Sequence, residues 1–307
     1  MDERRFKDDL YHFSVGFCMG SANVIPGVSG GTMLFIMGAF TRLTNVLREI
    51  ASMETLRQLA TLQWKKLLIR IQWRFLLGIA LGLLASFATL AKLIVWLLEH
   101  HQKLTFAFFF GLIAASIFTV NRQMKKWTPG AAVSFAVSAV AAFGVVSLVP
   151  VDGGSQWYMM MLYGAICVIA MILPGLSGSF LMLIFGQYAR VWSAVGDLSH
   201  FHVRAGDVMM LVYLAVGGAI GLGAFVHLLN FLMKRFYNAT VAALIGFMVG
   251  ALPRIWPWQH EIGDNQWKLD LPAADGSLLW VILCTLAGLA LVLVIELCAA
   301  RKNAQEE

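Results

Sequence analysis

Charge is what this chain has least of: Asp, Glu, Lys and Arg make up only 13% of its 307 residues, against about 25% in a soluble domain. With 59% hydrophobic residues and a mean hydropathy of +0.75, too few polar side chains remain to cover a globule of this size. A soluble enzyme, a secreted domain and a disordered tail are excluded. The apolar runs are continuous and do not alternate with polar residues, so a β-barrel is excluded too. Cysteine is sparse. Cys18, Cys167, Cys284 and Cys298 lie in or beside apolar runs without metal-ligand spacing, and read as small hydrophobes rather than disulfides or a metal site. No Gly-x-x-x-x-Gly-Lys-Ser/Thr run is present to hold a nucleotide, and no cofactor is expected. The start, MDERRFKDDLYHF, mixes both signs and leads into no short apolar core with a small-residue cleavage site, so a cleavable signal peptide is not expected. What remains is an all-α polytopic membrane protein, whose backbone satisfies its own hydrogen bonds as helices.

The apolar runs place six membrane-spanning helices at 75–98, 104–120, 130–149, 208–233, 237–253 and 278–298. Most approach the ~20 residues needed to cross a ~30 Å hydrocarbon core. Two further stretches, 13–41 and 159–189, are each interrupted by Pro-Gly-x-Ser-Gly. Between residues 42 and 74, Arg48, Arg57, Lys65, Lys66, Arg70 and Arg74 intersperse with Leu, Ile and Trp, a pattern expected to lie flat in the interface facing anionic headgroups. The loop 254–277 is aromatic and acidic, as an interfacial belt would be.

The two interrupted stretches are copies of one another. A shift of 148 residues lays Gly16 on Gly164, Ala22 on Ala170, Pro26-Gly27 on Pro174-Gly175, Ser29-Gly30 on Ser177-Gly178, Ile36 on Ile184, Gly38 on Gly186 and Arg42 on Arg190. Downstream, a shift of 135 aligns Gly82 with Gly217, Lys92 with His227, Thr105 with Thr240 and Gly111 with Gly246. The chain therefore reads as a duplication, with residues 1–150 as one repeat and 151–307 as the other.

Charge orients the copies. The net charge of +6 and pI near 9.3 reflect basic cytoplasmic loops rather than a nucleic-acid partner. If each interrupted stretch enters and leaves on one side, residues 1–12, 42–74, 121–129, 234–236 and 299–307 share the cytoplasmic face and hold 17 of the 23 Lys and Arg. Both termini are then cytoplasmic. The repeats become inverted, each a re-entrant helical hairpin followed by three spanning helices. As helices, residues 13–25 extend ~20 Å and 31–41 extend ~16 Å, enough to reach mid-membrane and return.

A helix that starts at membrane depth points unpaired N–H groups and a positive dipole end at whatever fills the cavity. Pro26, Gly27, Pro174 and Gly175 break the first arms; Ser29 and Ser177 cap the second. Gly30, Gly31 and Gly178 permit close approach, and Asn23, Thr32 and Ser179 lie beside the breaks. Two such starts converging near the midplane would hold a carboxylate or a phosphate. Arg42 and Arg190, equivalent under the repeat, suit phosphate by their planar fork. Lys92 and His227, equivalent as well, are candidates for proton coupling. Glu99, His100, His101 and Glu296 lie near helix ends, where a charged tip reaches the interface. Gly27-Val28-Ser29-Gly30-Gly31 also matches the nucleophile elbow, but that motif requires a preceding strand and a nearby base. An intramembrane serine protease is thus a weaker reading than an ion-coupled transporter or channel for a small anion.

GFCMGSANVIPGVSGGTMLFIMGAFTRL and ICVIAMILPGLSGSFLMLIFGQYARV closely resemble the paired signature hairpins of the PopT family of bacterial membrane proteins, and the similarity extends over nearly the whole chain. The resemblance implies a translocase that recycles undecaprenyl phosphate from the outer to the cytoplasmic leaflet of the bacterial inner membrane. It implies no enzyme activity, and a homo-oligomer is compatible with it. The second copy carries Met171 for Asn23 and Ser179 for Gly31, so the role of Asn23 is not symmetric between the hairpins.

Overall fold

The computed structural model describes residues 3–23, 30–148, 153–199, 204–263, 266–272 and 276–304. Continuous apolar sequence gives continuous helix. Each of the six expected spans falls on one helix: α6 (Trp73–His100), α7 (Gln102–Arg122), α8 (Pro129–Val146), α12 (Ala205–Arg235), α13 (Tyr237–Ala251) and α14 (Leu278–Ala304); 130–149 runs slightly past the end of α8 and 237–253 past that of α13. Among the described residues α7, α8, α12 and α13 with its terminal turn are long and apolar enough to cross a membrane, and α14 adds the apolar stretch Leu278–Val294. Leu77, Leu81, Leu84, Val133, Val137, Val140, Ile220 and Phe231 are all exposed on the outer surface, where lipid rather than water would meet them. This is a multi-pass membrane protein.

The interrupted stretches form α1 (Glu3–Asn23) and α2 (Gly30–Ile36), then α9 (Trp157–Ile172) and α10 (Gly178–Ile184). The second arms are shorter than the expected 31–41 and its counterpart. Each stops after two turns because Gly38 and Gly186 adopt φ +68°, a left-handed conformation that glycine takes without strain. Beyond each glycine the chain closes the helix end with a bond back five residues, Ala39 N–H to Leu34 O at 2.8 Å and Gln187 N–H to Met182 O at 3.1 Å. New helices follow, α3 (Phe40–Ile50) and α11 (Tyr188–Ser199). Arg42 and Arg190 therefore sit on these next helices rather than at the ends of the arms.

The segment 42–74 is divided. It folds as α3, α4 (Met53–Ala60) and α5 (Trp64–Arg70), and α3 is docked on the second half of the chain. Arg48 donates to Asn230 at 3.2 Å, and Asn230 donates to Asn45 at 2.7 Å. The loop after α13 contains a 3-10 turn (Leu252–Ile255) and a two-stranded antiparallel hairpin, β1 (Gln259–Gly263) and β2 (Gln266–Leu269).

Four helix pairs carry the packing: α1 with α6, α9 with α12, α7 with α14, and α8 with α13. Equivalent positions of the two copies make equivalent contacts. A Cβ on Gly16 would lie 2.0 Å from Ile79 O, and one on Gly82 2.0 Å from Phe13 O; in the second copy Gly164 meets Leu214 O at 2.1 Å, and Gly217 meets Met161 O at 1.9 Å. Only glycine lets these backbones touch, as small residues do generally where membrane helices cross. The enclosed pair α7 and α13 touch each other at the centre, and α2 packs between α7, α9 and α14. Met33, Leu34 and Ile36 of α2 share one apolar cluster with Ile172 at the end of α9, so the two interrupted stretches meet.

Candidate functional site

At the second break, Gly175 takes φ +89°, and its backbone lies so close to α13 that a Cβ would come within 2.7 Å of Phe247 O. Pro174, Gly175, Ser177 and Gly178 are all buried. Ser177 is the N-cap of α10, accepting from the Phe180 N–H at 3.5 Å, and its hydroxyl pairs with that of Ser179 at 2.8 Å. The expected cap is present. Its oxygen is engaged by a neighbouring hydroxyl and an amide, a capping arrangement rather than a nucleophile on its base.

At the first break, Pro26, Gly27 and Ser29 lie outside the described residues. Asn23 ends α1 and its Oδ1 accepts from the Gly30 N–H at 2.9 Å, so the side chain ties the two arms together. Gly30 abuts Met19 and Asn23, and Gly178 abuts Cys167 and Met171, the same neighbours under the 148-residue shift. Gly31 and Thr32 follow in the first turn of α2. Thr32 is fully enclosed, and its Oγ1 has no hydrogen-bond partner among the described residues.

Arg42 stands at a separate, more elaborate site. Its Nε donates to Gln72 Oε1 at 2.9 Å, its Nη1 lies 2.9 Å from His12 Nε2, and its guanidinium stacks 4.4 Å over the Phe75 ring. A guanidinium only donates, so Nε2 of His12 is the acceptor. Three elements thus hold one exposed arginine of α3: His12 of α1, Gln72 at the corner before α6, and Phe75 of α6 itself. Together with Arg74 and Asp9, which are paired at 2.5 Å, these residues line a cavity of about 270 Å³.

A second cavity, about 390 Å³, lies between the start of α7 and the β-hairpin, lined by Gln102, Lys103, Trp258, Gln259 and Asp270. Lys103 donates to Ser277 at 2.5 Å and stands 5.6 Å over the Trp258 ring. The 28 residues of α6 extend about 42 Å. The Arg42 cavity is at the beginning of that helix, and the Lys103 cavity is just beyond its end.

The remaining candidates are dispersed. Arg190 is exposed on α11. Lys92 lies within α6, its side chain outside what is described. His227 is exposed on α12, and its Nδ1 contacts Gly223 O of its own helix at 2.7 Å. His100 and His101 are exposed beside Trp96. Sequence reasoning missed His12, which is 5% exposed, and Arg254, which is 9% exposed with its guanidinium 5.1 Å over Phe180 of α10. His12 sits among charged residues in the segment 1–12, which the sequence presents only as a cytoplasmic terminus ahead of the hairpin arm. Arg254 stands in sequence as one loop charge among others, and only the folding of the 3-10 turn against α10 sets it apart.

Polytopic apolar helices, two stretches of them interrupted at matching glycine breaks, with basic and aromatic cavities at both ends of α6, have the layout of membrane transporter folds. The comparisons specify the family. Residues 19–268 match the family described as VCA0040-like, undecaprenyl phosphate translocase-like, and the chain belongs to it. It is 35% identical over 255 residues to a polyprenyl-phosphate transporter of Vibrio cholerae, covering 83% of this chain and 79% of that protein. It is 25% identical over 257 residues to a polyprenyl-phosphate transporter of Staphylococcus aureus, covering 79% of this chain and 84% of that protein. No solved structure matches.

Proposed function

We propose that this protein returns a polyprenyl phosphate, undecaprenyl phosphate foremost, from the outer to the cytoplasmic leaflet of the bacterial inner membrane. The observation that carries the reading is Arg42, fixed on three sides at a cavity, in a chain whose relatives are named for that cargo. A snorkelling anchor needs no such clamp; a phosphate contact does, since orienting the planar fork in advance lowers the cost of binding.

In this reading the halves 1–150 and 151–307 are inverted repeats, and each broken stretch is a re-entrant hairpin. Both termini face the cytoplasm. The head enters near Arg190 and the Lys103 cavity, passes the breaks and leaves at Arg42 while the tail stays in lipid. At the breaks it meets Pro174, Gly175, Ser177, Gly178 and Ser179 on one side and Asn23, Pro26, Gly27, Ser29, Gly30, Gly31 and Thr32 on the other. The short helices α2 and α10, seven residues each, supply first-turn amides but only a small dipole. More of the work falls on side chains, and the enclosed Thr32 hydroxyl is a ready donor to a passing oxygen. Moving the bare head through hydrocarbon would cost many kcal/mol.

The test is uptake of a fluorescent short-chain polyprenyl phosphate from the outer leaflet of vesicles containing the purified protein, with a small phosphate ester as the competing cargo. Lipid movement without release of the small ester is expected. Release of the small ester without lipid movement would instead make the protein a small-anion transporter.

A further inference from the structure

We propose that His12 is a proton site linked to phosphate binding: neutral while it holds Arg42, it takes up one proton when a phosphate monoester enters the cavity beside it. The proposal rests on the reading of Arg42 as a headgroup contact. His12 is nearly enclosed, its ring edge-on to Phe75 at 5.0 Å and to Tyr11 at 5.9 Å. Its Nε2 accepts from Arg42, so that nitrogen carries no proton as the site stands. Facing it are Asp8, Asp9 and Tyr11 from α1, Arg42 from α3, and Arg74 from α6. Asp9 is paired with Arg74, and the Tyr11 hydroxyl donates to Met37 O. Two arginines against two aspartates leave the cavity nearly balanced before a ligand arrives.

A phosphate adds negative charge and draws the Arg42 donors onto its oxygens. That frees the Nε2 lone pair next to an anion, the condition under which imidazole becomes charged near neutral pH. One proton passes from water to Nε2, and the new N–H donates to a phosphate oxygen. No bond within the phosphate ester changes. Because binding raises the proton affinity of His12, phosphate affinity grows as the pH falls through neutrality, and the gain is lost as the pH rises above the bound-state value. Any translocation cycle that empties this cavity then also releases a proton there.

The experiment measures binding of farnesyl phosphate, inorganic phosphate and farnesol to the purified full-length protein between about pH 8 and about pH 6. For farnesyl phosphate the expected affinity rises toward tenfold per pH unit, the limit for one linked proton. His12→Gln keeps an acceptor for Arg42 but cannot be protonated. It should bind at the alkaline end, with a flat or reversed slope because the lipid phosphate itself loses charge as the pH falls. A parental slope in His12→Gln overturns the proposal. A second readout needs no variant: binding heats in two buffers of different ionisation enthalpy count the protons, with uptake near one expected near pH 7 and zero overturning it. Arg42→Ala tests the underlying reading separately, since parental binding in that variant at every pH removes the headgroup contact itself. Equal affinity for inorganic phosphate overturns the lipid source, and equal affinity for farnesol overturns the phosphate site.

Discussion

Arg42 is the residue on which the account turns, because its guanidinium is oriented before any ligand arrives. Lysine would keep the charge but lose the fork, the stacking on Phe75 and the bond to Gln72. Arg42→Lys should therefore retain only part of the transport rate. Arg42→Ala should lose a charge-assisted contact of about 1.5–3 kcal/mol, a ten- to hundredfold drop in affinity for polyprenyl phosphate at matched expression. Ser177 acts differently, as an N-cap of α10. Ser177→Ala should cost about 1 kcal/mol of stability, read as a lower unfolding temperature in detergent, and should slow transport in a graded way rather than abolish it. Arg254 gives a third case. It is buried against Phe180, so Arg254→Ala should unsettle α10 as well as remove a charge.

Helices end and cross where glycine permits. Gly38 holds φ +68° with open space around it, so Gly38→Ala meets no clash and only the left-handed backbone penalty, about 1 kcal/mol. Gly217 is the opposite case: a Cβ there would lie 1.9 Å from Met161 O. Gly217→Val must push α12 away from α9 and should destabilise by about 1–3 kcal/mol, a larger fall in unfolding temperature than Gly38→Ala produces. Much at this scale was legible beforehand. Continuous apolar runs are helices in lipid by necessity, so all six runs could be placed as helices, and Pro-Gly-x-Ser-Gly marks a break by proline and glycine chemistry alone. The shortened arms were not legible, since Gly38 and Gly186 could as well have continued a helix; their positive φ is decided by the chain turning onto α3 and α11. Nor was the division of 42–74, where Leu62 and Gln72 take positive φ at the corners between α4 and α5 and between α5 and α6. The His12–Arg42 contact joins residues thirty apart, and no local pattern announces it.

At the scale of the whole molecule, the two copies share their packing contacts, while their sites differ. Equivalent glycines meet equivalent carbonyls in α1–α6 and α9–α12, yet Asn23 faces Met171 across the repeat and Thr32 faces Phe180. A pair of halves inserted in opposite senses would give the lipid head a different set of contacts from each leaflet. Labelling of single cysteines at the exposed positions Lys66 and Ser155 checks the orientation, with Lys66→Cys expected to react from the cytoplasmic side and Ser155→Cys from the outer side. Reaction of both from one side would remove the inverted arrangement. The central claim is the movement of a phosphate head through this fold, and its most direct measurement is leaflet transfer of a labelled polyprenyl phosphate in vesicles holding either the parent or Arg42→Ala. Transfer well above empty vesicles is expected with the parent, and a ten- to hundredfold weaker response to lipid concentration with the variant. Transfer by the parent no faster than in empty vesicles, or equal transfer by both proteins, would contradict it.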